Sequence, residues 1–375
     1  MIDIKNKSNC CGCEACAQVC PHHCIDMKED SEGFLYPSVN KEACVSCGLC
    51  LKVCPMTEVG DTREPSLVYA AKNLNESTQL HSSSGGVFSL IAEHVIEEGG
   101  VVFGARFNNQ WEVVHDYTDN LQGLQCFRGS KYVQSRIDSS FTLAKSFLQS
   151  GRKVLFTGTA CQISGLKKYL RKDYENLITL DVICHGVPSP LVWKSYLQQQ
   201  TNLKDITSVK FRDKVSGWKN YSSNLYYQKS GNEEQIITLQ PFMNLFLSNM
   251  ILRPSCSSCL FKAGKCGSDI TLGDFWGIDR VLPGFDDDKG VSAVLVYNKD
   301  VVKKLIASLD VNEVTYHDVL SSNSSLEIAS IPHQNRAFYF YRLRKTASFQ
   351  KAFNQLYSKN ILMRIYRTLY RKFAL

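Results

Sequence analysis

The chain has 375 residues, 44% of them hydrophobic and 21% charged, with 16 cysteines and a formal net charge of +7. That length suits two or three domains with buried cores, and the ordinary composition excludes a disordered chain. No run of about 18 apolar residues occurs and no apolar segment precedes the first cysteines, so neither a spanning helix nor a signal peptide is expected.

Ten of the 16 cysteines fall within the first 54 residues. A secreted disulfide scaffold would be shorter and exported, whereas clustered thiols in a reducing cytoplasm are soft ligands for iron or zinc. The positive charge is local too. From Ile328 to Leu375 there are ten Lys and Arg and no acid, so the tail is basic and the remainder slightly acidic.

In chain order, residues 1–58 are cysteine-dense, and 59–67, with Gly60, Asp61, Thr62 and Pro65, read as a linker. Residues 68–150 and 151–312 read as two parts of an α/β body, and 313–375 as a basic, aromatic, helical tail. The expected class is α/β (α+β overall): a small bacterial-ferredoxin-like domain, then a body with a parallel βαβ unit.

Cys10, Cys13, Cys16 and Cys20-Pro21 form C-x2-C-x2-C-x3-C-P, and Cys44, Cys47, Cys50 and Cys54-Pro55 repeat it. This is the bacterial two-cluster ferredoxin run, in which the fourth cysteine of each run serves the other cluster. It assigns Cys10, Cys13, Cys16 and Cys54 to one [4Fe–4S] cluster, and Cys44, Cys47, Cys50 and Cys20 to a second. Zinc, which usually takes two CxxC pairs, is a poor match. Cys11 and Cys24 are spare and read as small buried hydrophobes. Ile25–Val39 reads as a hairpin turning at Ser31-Glu32-Gly33.

Residues 87–98 read as a helix with Val87, Leu90, Ile91 and Val95 on one face, ended by Gly99-Gly100. Val101–Phe107 and Trp111–Tyr117 read as strands. Ser82-Ser83-Ser84-Gly85-Gly86 stands before that helix, where free amides and close backbone approach suit a phosphate, although such a start is commonly only a cap. Gly129-Ser130-Lys131 and Gly158-Thr159 offer further amides and one cation. No GxGxxG and no GxxxxGK[ST] occurs, so neither a Rossmann fingerprint nor a P-loop is supported.

Lys153–Thr157 reads as a buried strand, Gly158–Cys161 as a loop, Gln162–Lys172 as a helix and Leu177–Ile183 as a second buried strand. Such a pair is parallel, so Cys161 and Cys184 come to the same carboxyl edge, where ligands bind in open α/β sheets. With the Cys256/Cys259 pair they compose a candidate third cluster site. Spacing alone leaves open whether they converge, and Cys266 is a fifth candidate. Ser223–Thr238 reads as a hairpin turning at Ser230-Gly231-Asn232, Ala293–Tyr297 as a strand and Lys299–Leu309 as a helix.

A flavin suits this inventory, because clusters carry single electrons while most organic substrates exchange two. His185 is a candidate proton donor beside it, although a structural histidine is the commoner case. His22 and His23 read as exposed, and no catalytic acid stands out. Residues 361–375 read as a basic amphipathic helix. Leu362, Tyr366, Leu369 and Phe373 share one side, beside Arg364, Arg367, Arg371 and Lys372. It suits an anionic membrane surface, an acidic electron carrier or simple packing on the body. Nucleic-acid binding fits poorly.

The chain resembles the coenzyme F420 (deazaflavin) hydrogenase/dehydrogenase beta-subunit family with an N-terminal ferredoxin domain. The resemblance rests on SSSGGVFS (82–89), GSKYVQS (129–135), GTACQ (158–162), CHGVPS (184–189), RPSCSSC (253–259) and DITLGDFWG (269–277), and covers roughly residues 1–310. It implies a [4Fe–4S] cluster on Cys161, Cys184, Cys256 and Cys259, and FAD held by the three loops around Ser83, Gly129 and Gly158. Ala160 stands where the family often has Pro, and Cys266 falls where members vary. Asp274 and Trp276 match the family's GDFWG element, with packing beside the cofactors as their expected role.

Family members act on the deazaflavin coenzyme or, with ferredoxin, on quite different substrates. Stand-alone members with this head and tail resemble those in bacterial surface-polysaccharide gene sets. The expectation is therefore a cytoplasmic iron–sulfur flavoprotein oxidoreductase, peripheral to the inner membrane face if the tail docks there. Its expected partners are an electron carrier such as ferredoxin and a small organic substrate. The alternatives are an electron-transfer subunit without its own substrate site and a deazaflavin-coenzyme oxidoreductase.

Overall fold

The computed structural model describes residues 1–229, 231, 233–303 and 306–373, the side chains of Lys372 and Phe373 excepted. In the head, the two cysteine runs each enclose one helical turn, α1 (Ala15–Gln18) and α2 (Leu49–Lys52). Between them β1 (Ile25–Glu29) and β2 (Leu35–Val39) form the expected antiparallel hairpin, Ile25 opposite Val39. The Asp30 carboxylate accepts the amides of Glu32 (2.9 Å) and Phe34 (3.0 Å), and Gly33 supplies the positive φ the turn needs.

The body begins with β3 (Leu67–Asn73), α3 (Val87–Glu97), β4 (Val101–Phe107), β5 (Val113–Thr118) and α4 (Ser140–Gln149). It continues with β6 (Val154–Thr159), α5 (Ala160–Leu170), β7 (Leu177–Val182), α6 (Pro190–Leu197), β8 (Ile206–Asp213), β9 (Ser222–Tyr227), β10 (Gln235–Thr238) and α7 (Gln240–Leu247). The last strands are β11 (Ile270–Asp274), β12 (Ser292–Val296) and β13 (Leu309–Glu313). Eight of these strands make one sheet in the order β13-β3-β12-β11-β7-β6-β4-β5, while β8, β9 and β10 form a small antiparallel one.

At the centre of the large sheet, β4, β6, β7 and β11 run parallel. Their continuous apolar runs, such as Val154–Phe156, are buried on both faces, as parallel strands require. Thr159 stands opposite Val182, and Val182 opposite Leu272. The segments that follow β6 and β7 therefore leave from one edge.

Three local expectations change. Gly158–Cys161 is not a loop. Gly158 and Thr159 finish β6, and Thr159 caps α5 in a capping box with Gln162, whose Oε1 accepts the Thr159 amide at 2.9 Å. Cys161 thus sits in the first turn of a helix. Trp111 precedes β5 as a turn residue with φ 59°. The helix expected over Lys299–Leu309 covers only Lys299–Val302, because Leu309 opens β13 opposite Asn73; Lys304 and Leu305 lie outside the described residues. The β9–β10 hairpin is present, with Ser230 and Asn232 of its expected turn also outside them.

The head is bolted to the body. Glu14 accepts the amides of Ile137 (2.9 Å) and Asp138 (3.1 Å), and Gln18 Oε1 those of Phe141 and Thr142 (3.1 Å each) at the start of α4. Gly165 of α5 faces Cys13, where a Cβ would lie 2.8 Å from the Cys13 Cβ.

Three helices close the chain: α8 (Arg336–Thr346), α9 (Phe349–Tyr357) and α10 (Ile361–Phe373). Phe338, Tyr339, Phe349 and Leu356 join Trp193 and Phe242 in the largest core cluster, and Arg336 clamps Glu32 of the head with bonds of 3.0 and 2.5 Å. The single apolar side expected of α10 is divided. Tyr366 turns onto the body while Leu362 and Leu369 stay exposed; the expected Phe373 and Lys372 side chains lie outside the described residues.

Candidate functional site

The thiols fall into three groups. Cys10, Cys13 and Cys16 line the inner face of the head. Burial pushes the Cys16 thiol up, and neighbouring Cys10 and Cys54 add to the rise. Cys20, Cys44, Cys47 and Cys50 line a second recess at the outer end of the head, with Cys24 Sγ 3.3 Å from Cys20 Sγ. Here Cys47, His22 and His23 are exposed.

The third group is built by the body. Cys161 from the start of α5, Cys184 after β7, and Cys256 and Cys259 from the turn after Pro254 line one pocket. Burial raises the Cys256 thiol to about 12, with Cys161 and Cys259 adding to it while the Val187 amide, 3.4 Å from its sulfur, opposes it. Lys262 Nζ holds the Cys184 carbonyl at 2.5 Å and that of Ser325 at 2.6 Å. Cys266 is not part of this wall. It is buried under α5, 3.5 Å from Ser268 Oγ.

Cys11 lines the third pocket as well, and its thiol interacts with both Cys13 and Cys161. It is buried as expected, but it occupies the seam between the inner head group and the body group, a position that nothing in its spacing announced. Among the described residues no three His, Cys, Asp or Glu side chains close on a single metal ion. Thiols that cap the corners of a cubane stand further apart than thiols that grip one ion.

Beside the third group opens a cavity of about 610 Å³ at the carboxyl edge of the parallel strands, within the size range of small-molecule sites. Thr159, Cys184, His185 and Gly186 line both it and the thiol pocket. Ser83, Ser84 and Gly86 line one side, Gly129, Ser130 and Lys131 another, and Gly158 and Thr159 the floor. Of the expected contacts only Gly85 lies behind the wall. Its amide donates to Ser292 Oγ at 2.9 Å, and a Cβ there would lie 2.3 Å from the Ala71 carbonyl.

The first two loops are tied together. The Ser130 amide donates to Ser83 Oγ at 2.7 Å, and the two hydroxyls meet at 3.0 Å. Lys214 braces the first of them from behind, donating to the carbonyls of Ser84 (2.8 Å), Gln79 (2.9 Å) and Lys289 (2.5 Å). Lys131 does not point a free ammonium inward. It donates to the carbonyls of Cys126 and Arg128 at 2.9 Å each, and burial lowers its pKa to about 7, against a smaller opposing pull from Cys126.

Under the floor, His115 lies between the Thr157 carbonyl (3.0 Å) and Ser135 Oγ (2.9 Å), and Gln162 Nε2 also reaches Ser135 Oγ at 2.9 Å. Burial pushes His115 down to about 4, so it is a neutral strut. His185 lines the cavity with Nε2 2.6 Å from Asn249 Oδ1, and burial lowers its pKa.

Arg212 was not visible as a site residue from sequence. It lies one residue before the end of β8, 8% exposed, its guanidinium 3.7 Å from the Tyr221 ring and 4.7 Å from that of Trp276. One nitrogen pairs with Asp274 at 2.9 Å, while Nε and Nη2 are buried without a partner. Trp218 stacks on Trp276 at 4.8 Å and donates to Asp274 at 3.0 Å, which fixes the GDFWG element on the wall. Arg212, Tyr221, Asp274 and Trp276 all line the cavity, with Asp274 the one carboxylate on its wall among the described residues. Buried guanidinium N–H groups without acceptors cost stability, which the ring contacts with Tyr221 and Trp276 offset in part.

Two family models match the chain. One describes the C-terminal part of the coenzyme F420 hydrogenase/dehydrogenase beta subunit and matches residues 151–319; the other describes a 4Fe-4S dicluster domain and matches residues 9–57. No curated protein matches. Among solved structures, a chain from the xenon-derivatised F420-reducing [NiFe] hydrogenase complex of Methanosarcina barkeri aligns at 15% identity. The alignment covers 78% of this chain and 98% of that one, with a TM-score of 0.48. Residues 151–319 thus match the C-terminal domain of the coenzyme F420 hydrogenase/dehydrogenase beta subunit and residues 9–57 a 4Fe-4S dicluster domain, so the chain is an iron–sulfur oxidoreductase-like protein related to that subunit.

Proposed function

We propose that the chain is an iron–sulfur flavoprotein oxidoreductase acting on a small organic substrate. The head holds two [4Fe–4S] clusters, on Cys10, Cys13, Cys16 and Cys54 and on Cys20, Cys44, Cys47 and Cys50. A third is held by Cys161, Cys184, Cys256 and Cys259, and FAD by the 610 Å³ cavity. When bound, clusters supply one-electron exchange and a flavin converts it to two-electron chemistry.

The observation that carries the reading is the shared wall: Cys184 and Thr159 line both the four-thiol pocket and the cavity. The chain's own part is positioning. Ser83 and Ser130 hold two loops together, Lys214 fixes the Ser84 carbonyl, and Arg212 places a positive charge on the wall for an anionic group of the nucleotide. Tyr221, Trp276 and Phe246 supply aromatic surface on the wall. The exposed end of the head, at Cys47, is where an external one-electron carrier such as ferredoxin would meet the protein.

The test is to purify the chain without oxygen and measure iron, sulfide and extractable flavin. About twelve irons and one FAD per chain are expected. About eight irons with no flavin would overturn the reading and leave a ferredoxin-like module on a partner-binding scaffold.

A further inference from the structure

Helix α10 has two apolar faces, and the body uses only one. On the inner side Met363, Tyr366 and Tyr370 pack against the largest core cluster, Tyr366 edge-on to Phe338 at 5.7 Å and Tyr370 4.9 Å from Tyr341. Arg367 turns back to the end of α9, donating to the carbonyls of Leu356 and, at 3.1 Å, Ser358. The helix is thus held in a defined orientation.

On the outer side Ile361, Leu362, Ile365 and Leu369 are 69%, 74%, 51% and 47% exposed. At 3.6 residues per turn these four fall within an arc of about 100° and run about 12 Å along the axis. A soluble surface seldom leaves such a ridge uncovered. Arg364 is exposed along its border, and Arg371 lies further round, 2.7 Å from Gln334.

We propose that α10 is a membrane-surface helix, which lays Ile361, Leu362, Ile365 and Leu369 into the headgroup boundary of an anionic bilayer. Charge selects this occupant. From Ile328 onward the chain has ten Lys and Arg and no acid, which matches anionic lipid phosphates. A second copy of the chain would instead bring two basic tails together. A folded acidic carrier would match the charge but would gain little from four protruding aliphatic side chains. Length agrees: α10 has 13 residues, whereas a crossing needs about 20, so the helix lies in the interface plane. Among the described residues no helix is long and apolar enough to cross a membrane.

The experiment is sedimentation of the full chain, purified without oxygen, with vesicles of phosphatidylcholine alone or mixed with about one-third phosphatidylglycerol. Binding to the mixed vesicles is expected, at least tenfold weaker on the neutral ones and weakened by salt. I365E/L369E should lower binding at least tenfold, and R364Q about fivefold. All three residues are exposed, so iron content and melting temperature should hold; L362E is the second variant should the double one fail to fold. Equal binding to both vesicle types, no binding to either, or unaltered binding by the folded variants would overturn the proposal. So would a dimer dispersed by I365E/L369E, which would assign the ridge to a second copy, or loss of ferredoxin exchange in that variant without loss of lipid binding. Vesicle binding and oligomeric state need neither flavin nor clusters, so failure here and failure of the redox reading are separate events.

Discussion

Arg253 Nε donates to the Cys10 carbonyl at 2.8 Å, joining the turn that carries Cys256 and Cys259 to the first cysteine of the head. The same guanidinium, 1% exposed, reaches the Leu35 carbonyl at 2.9 Å and Gln134 Oε1 at 3.0 Å. One buried cation therefore sets the inner thiol group against the body pocket. Arg253→Met should cost about 3 kcal/mol, because it leaves buried acceptors unpaired. Urea denaturation measures the loss, and faster proteolysis within residues 59–66 reports the loosened head.

Gly165→Ala sets two effects against each other. Alanine favours a helix interior by about 1 kcal/mol, but overpacking a tight contact costs about 1–3 kcal/mol. The new Cβ would stand 2.8 Å from the Cys13 Cβ and 2.9 Å from its sulfur, and neither helix nor cysteine loop yields easily. The expected net effect is a lower melting temperature and reduced iron in the head.

Cys161→Ser and Cys266→Ser separate a pocket thiol from a buried one. The first should remove about four irons per chain and the second none. Iron analysis of the two proteins decides the ligand set, since Cys266 lies outside the pocket wall.

Burial holds the pKa of Lys214 down to about 8, with Asp274 opposing the shift. An unfolded lysine titrates near 10.4, so between about pH 8 and 10.4 the unfolded chain binds more protons and the folded state gains stability as the pH rises. The wild type should therefore gain on K214M across that window and run parallel to it below pH 8. Denaturant midpoints of both proteins across the range give the comparison.

If the cavity holds FAD as proposed, Arg212→Gln should weaken its binding about tenfold while leaving riboflavin binding unaltered, because only the nucleotide carries phosphates for a cation on the cavity wall. Equal affinity for FAD in both proteins would remove Arg212 from the site.

Legibility follows the range of the forces involved. The two cysteine runs and the β6–α5–β7 unit are readable because thiol spacing, apolar runs and turn residues act over a few positions. The true start of α5 was readable as well, since Thr159 and Gln162 have capping-box spacing. Arg212, Arg253 and Lys214 were not. Read singly, each looks like an ordinary surface cation, and only packing shows Arg212 and Arg253 buried and Lys214 half-buried, with partners far along the chain. Cys11 looked like filler for the same reason, because its neighbour Cys161 arrives from another domain.

The sequence by itself determined the paired thiol spacing of the head, the parallel strand pair and the basic tail, since local periodicity and composition suffice for these. Only the tertiary structure decided that Cys161, Cys184, Cys256 and Cys259 share a wall while Cys266 does not, and which face of α10 is left bare. Convergence of distant residues depends on strand register and on how the head docks. Those are sums of many weak contacts that no short motif encodes.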